Sequence, residues 1–91
     1  IWLQPKSGGY TNATIRNNTV ESSNGQGYRI EYLSGLVEGN KAVWTGVEPY
    51  KNNNPRMDIK TGCHDLLVRD NDCVVTVAAG LPPSVIVELK P

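Results

Sequence analysis

Cys63 and Cys73 bracket the pair Asp70-Asn71, and these two features cannot both shape the same stretch. A tight two-residue turn at Asp70-Asn71 sets Arg69 opposite Asp72, Val68 opposite Cys73 and Cys63 opposite Ala78. The cysteines then stand out of register, roughly 16 Å apart at about 3.3 Å per residue. A disulfide needs Cα atoms about 4.4–6.8 Å apart, so the hairpin and the bond exclude each other. The bond is the expected outcome, because two cysteines in a short chain suffice for one bridge. Closing the loop stabilises the fold by roughly 2–3 kcal/mol in the chain-entropy model. His64 to Asp72 then becomes a closed loop presenting Leu66, Leu67, Val68 and Arg69.

A disulfide implies an oxidising compartment, so the expected location is secreted, extracellular or periplasmic. The first residue, Ile1, fits a processed chain, and Asn12-Ala13-Thr14 and Asn17-Asn18-Thr19 have the form of glycosylation acceptors. No apolar run approaches the about twenty residues that cross a bilayer, so no membrane span is expected.

The 91 residues suit a single domain, 1–91, with a small core. Nine basic side chains balance nine acidic ones, and neither sign forms a run. That balance argues against nucleic acid as a partner, since a non-specific binder carries a basic stripe.

Short alternating segments separated by turn residues predict an all-β fold. Tyr28 and Ile30 alternate with Arg29 and Glu31, and Met57 and Ile59 with Asp58 and Lys60. Thr19 to Glu21 and Ser84 to Leu89 add further strands, and Tyr10 to Arg16 alternates more loosely. Gly39-Asn40 between Leu36-Val37 and Ala42-Val43 reads as a hairpin turn. Cys73 to Ala78 is apolar on both faces except at Thr76, as in a central strand covered on both sides. No segment keeps helical period for more than two turns, and no internal repeat stands out. The expected architecture is a small antiparallel β-sandwich of six to seven short strands, immunoglobulin-like in layout, with a small β-barrel as the alternative.

Catalysis finds little support in the residues. His64 is the only side chain that ordinarily titrates near neutrality, and on an extended chain Asp65 points away from it. No nucleophile elbow is present. Asp70-Asn71-Asp72 opens like a calcium loop but lacks its downstream Glu. Two cysteines and one histidine fall short of a zinc site. The expectation is a non-catalytic chain with no cofactor and no metal.

Recognition is the expected role, with a glycan or protein as partner. Every aromatic ring carries a polar edge, because the chain has no Phe. Tyr28, Tyr32 and Trp44 would form a ring-lined face, flanked by Tyr50 and Arg56. Two other functions fit the residues. One is a secreted protease or hydrolase inhibitor acting through the closed loop 64–72, with Leu67 and Arg69 as contacts. The other is a structural subunit of a pilus, capsid or larger complex, pairing through its terminal strand. The chain is expected to be a monomer or part of such an assembly.

Overall fold

The computed structural model describes residues 2–3, 10–22, 27–45 and 56–90. Ten strands run through them: β1 (Trp2–Leu3), β2 (Tyr10–Arg16), β3 (Thr19–Ser22), β4 (Tyr28–Ile30), β5 (Leu33–Glu38), β6 (Lys41–Trp44), β7 (Arg56–Ile59), β8 (Leu66–Arg69), β9 (Val74–Val77) and β10 (Val85–Glu88). The all-β expectation holds, and the described residues contain no helix.

The strand arrangement differs from a sandwich. Every pairing is parallel. One sheet has the order β1-β4-β7-β9, a second β2-β5-β8-β10, and a third β3-β6. The chain visits the three sheets in turn, and each visit pairs with the visit before. This is a coil of four stacked rungs, a parallel β-helix. The antiparallel sandwich, its immunoglobulin-like layout and the closed barrel are therefore corrected. The alternation that predicted the strands is real, but each strand's partner lies a full rung away instead of across a local turn.

The rungs have unequal lengths. Ala13 pairs with Gly35, Gly35 with Leu66 and Leu66 with Val85, in steps of 22, 31 and 19 residues. An irregular step hides the repeat from any search at fixed period.

Side chains stack in rows along the coil. Ile15, Val37, Val68 and Val87 form one inward row, and the first three are buried. Ile30 and Ile59 form another, continued by Val77. Tyr28, Met57 and Val75 form a third. Gly35 is needed because a Cβ there would lie 2.1 Å from the Ala13 carbonyl oxygen, and its φ is +122°.

The corners after the first three visits to the second sheet, beyond β2, β5 and β8, are built alike. Asn17, Gly39 and Asp70 are left-handed, with φ of 58°, 68° and 55°, and only Gly, Asn and Asp adopt that region readily. The next residue is Asn18, Asn40 or Asn71. Asn40 Oδ1 accepts from the Asn18 backbone N–H at 3.1 Å and from Asn18 Nδ2 at 3.0 Å. Asn71 Oδ1 accepts from the Asn40 backbone N–H and Nδ2, both at 3.0 Å. The amides also donate to inward carbonyls one rung back, Asn40 to Ile15 at 3.0 Å and Asn71 to Val37 at 3.2 Å. Asn40, fully buried, thus uses both lone pairs and both amide hydrogens.

Gly39-Asn40 is accordingly a corner between sheets and not a hairpin turn, and the same holds for Asp70-Asn71. The Cys63–Cys73 disulfide is not formed either, as both cysteines are free thiols. Cys63 lies before β8 and Cys73 beyond the corner that follows it. They are separated by a strand of four residues, about 13 Å at 3.3 Å per residue.

Candidate functional site

The coil is closed on three sides through its second rung and then opens. Its third sheet holds only β3 and β6, extended to the third rung by a single bridge from Lys41 to Asp72. Val20 and Ala42 line this face, with Cys73 next to them against the core. Among the described residues, the fourth rung, β9 and β10, has no strand here. A recess of about 570 Å³ opens in its place, walled by the Asn71–Cys73 corner, the start of β9 and Leu89.

Among the described residues, β9 and β10 are the last strands of their sheets, each with one backbone edge that no described strand pairs. Their side chains are unusually bare. Val74 is 62% exposed, Val77 49%, Ile86 52% and Leu89 71%. Among the described residues, these and Tyr32 are the exposed large hydrophobics. The expected central strand at Cys73–Ala78 is thus an edge strand. Repeat stacks ordinarily end in a polar cap, and this rung carries none among its described strands.

Charge is concentrated on the outer face of the second sheet. Arg16, Glu38, Arg69 and Glu88 occupy matched positions on β2, β5, β8 and β10, alternating in sign. Glu38 is held from both sides, by Arg69 Nε at 2.7 Å and Arg16 at 3.5 Å. The hydrogen bond to Glu38 keeps the Arg69 guanidinium more firmly protonated than usual, and the charges of Glu38, Asp70 and Glu88 add to this.

The ring-lined face expected from the sequence does not form around Tyr28. That side chain is 1% exposed. Its hydroxyl lies 3.0 Å from the Asn18 carbonyl and 2.9 Å from that of Lys41, tying two rungs together. Burial pushes its pKa up. Tyr32 is exposed with φ of 52°, its ring against Gly62. Trp44 ends β6, and its side chain lies outside the described residues, as does all of Tyr50. Arg56 is exposed and bonds Asp58 at 3.0 Å.

The inhibitor loop is not a loop. Leu66 and Val68 are buried in β8, an interior strand of the second sheet. Leu67 and Arg69 face outward from it, partly covered.

His64 gains a carboxylate neighbour that the sequence did not suggest. A left-handed Asp65, φ 46°, brings its Oδ2 to 3.0 Å from His64 Nδ1. Ser84 Oγ accepts from the Asp65 backbone N–H at 2.9 Å, and no hydrogen bond joins it to the imidazole. Ser84 Oγ is thus engaged with the Asp65 backbone and not with the imidazole. Desolvation raises the pKa of both thiols, Cys63 and Cys73, which keeps them protonated and unreactive. Among the described residues, no three metal-ligating side chains converge.

Sequence reasoning missed both the ladder and the open rung. The signal was present in three aligned hexapeptides, IRNNTV from Ile15, VEGNKA from Val37 and VRDNDC from Val68. Each reads inward aliphatic, outward charge, left-handed residue, asparagine, polar residue, inward residue. Compared with known proteins, the chain matches no family model, no curated protein and no solved structure.

Proposed function

We propose that the chain is a non-catalytic assembly module, a structural subunit that works by accepting parallel strands on its fourth rung. The observation that carries this is the bare rung itself, with two strand edges unpaired among the described residues, beside Val74, Val77, Ile86 and Leu89. Edge strands of this kind template the pairing of another strand.

Magnitudes narrow what the occupant must be. Covering a half-exposed Val, Ile or Leu contributes on the order of 1 kcal/mol, so four contribute about 4–6 kcal/mol. Association costs an estimated 4–15 kcal/mol or more. The exposed side chains alone do not offset that cost. An effective occupant also pairs the backbone edges and covers the inward residues Val75, Val85 and Val87, so it is as wide as a rung.

Sedimentation velocity across a wide concentration range tests this. Wild-type mass rises with concentration, while Val77→Lys/Ile86→Lys, folded by far-UV circular dichroism, stays monomeric. A wild type that remains monomeric throughout, or a variant that associates equally, overturns the proposal.

A further inference from the structure

We infer that the occupant of the fourth rung is the first rung of a second copy of this chain, stacked head to tail with its Arg16 beside Glu88. The inference rests on the assembly reading and adds the partner and its orientation.

The first and fourth rungs are the two ends of the same rows. In the second sheet β2 is one edge and β10 the other, and in the first sheet β1 and β9 are the edges. A second copy continuing the existing register places Ala13, Thr14, Ile15 and Arg16 opposite Val85, Ile86, Val87 and Glu88. In the first sheet the same step brings Leu3 to Val77. Both sheets continue across a single junction.

Charge selects this order. The outer row runs Arg16, Glu38, Arg69, Glu88, so a head-to-tail junction sets Arg16 against Glu88 and preserves the alternation. Joining two fourth rungs, or two first rungs, turns the facing strands antiparallel, unlike every pairing in this stack, and brings no Arg16 to Glu88. Opposite charges facing each other across strands favour the head-to-tail pairing.

The ladder selects it as well. Asn40 and Asn71 each take a backbone N–H one rung back with Oδ1 and give an amide hydrogen to an inward carbonyl of that rung. Among the described residues the Asn18 side chain makes neither of these bonds. Lys90 stands two residues past Glu88, as Asn71 stands two past Arg69. The fourth rung thus offers the Lys90 N–H and the Val87 carbonyl at the matching places. A first rung stacked there completes Asn18 just as the ladder completes Asn40. A head-to-tail contact does not close on itself, so the product is an open filament.

Single variants Arg16→Cys and Glu88→Cys, mixed with each other and oxidised with glutathione disulfide, test the order. The expected product is a bond between positions 16 and 88, located by peptide mass spectrometry, with wild-type mass growing beyond the dimer. Arg16→Glu or Glu88→Arg alone lowers association at least tenfold, and Arg16→Glu/Glu88→Arg recovers it. Dimers bonded between two positions 88, with wild type stopping at the dimer, overturn the head-to-tail order and leave the fourth rung as the association surface. Monomers throughout overturn both.

Discussion

Replacing Asn40 by Ala removes the middle of the ladder and takes partners from its neighbours. The Asn18 N–H loses its acceptor, the Ile15 carbonyl loses the amide hydrogen it receives beside its ladder bond to β5, and Asn71 Oδ1 keeps only the Asn40 backbone N–H. Asn40 is fully buried, so solvent reaches these groups only by entering the void. A buried group left unsatisfied costs about 1–3 kcal/mol, so the stranded Asn18 N–H alone sets a loss of about 1–3 kcal/mol. A domain's whole stability is about 5–15 kcal/mol. Urea unfolding followed by far-UV circular dichroism measures the loss, with Thr14→Ala on the exposed outer face as a control expected within about 0.5 kcal/mol of wild type. Asn40→Ala and Asn71→Ala share two hydrogen bonds, so the double variant should be non-additive by about 0.5–3 kcal/mol. A loss at Asn40 below about 1 kcal/mol, or strict additivity, refutes the ladder as a source of stability.

Gly35→Ala should cost about 2–4 kcal/mol, because a left-handed alanine is strained by about 1–2 kcal/mol and its Cβ strikes the Ala13 carbonyl. Gly80→Ala, with similar backbone strain but no atom within 4 Å, should cost only about 1–2 kcal/mol; equal unfolding midpoints for the two would contradict close stacking of β2 on β5. Burial raises the pKa of Cys63, Cys73 and Tyr28 in the folded chain, so it holds their protons more tightly than the unfolded chain does. Their contribution is fully present below the unfolded values, about 8.5 for a thiol and about 10 for tyrosine, and is lost as pH climbs through the folded ones. The melting temperature should fall above about pH 9, less steeply in Cys63→Ala; a flat profile into that range contradicts burial of these groups.

Strand positions were legible because alternation reports which side chains face inward, whatever the pairing. Tyr28/Ile30 and Met57/Ile59 are buried as their parity indicates. Pairing was not legible, because Gly39-Asn40 and Asp70-Asn71 suit a hairpin turn and a left-handed corner equally. Both uses rest on the same tolerance of positive φ, and what separates them is a partner 22 or 31 residues away. Tyr28 was misjudged for the same reason. Its inward direction was read correctly, but whether that side is wet depends on a third sheet closing over it. The two cysteines were judged by spacing alone, which is silent about the strand that runs between them. At the candidate site, the lack of charge between Cys73 and Val87 was visible, and among the described residues this stretch falls on edge strands and not on a covered central one.

Long-range nuclear Overhauser contacts from β8 in isotopically labelled protein test the parallel stack most directly. The account predicts backbone contacts joining Leu67 to both Leu36 and Ile86, and Val68 to both Val37 and Val87. A ladder of contacts linking β8 to β9 antiparallel about Asp70-Asn71 would contradict it, and with it the open fourth rung.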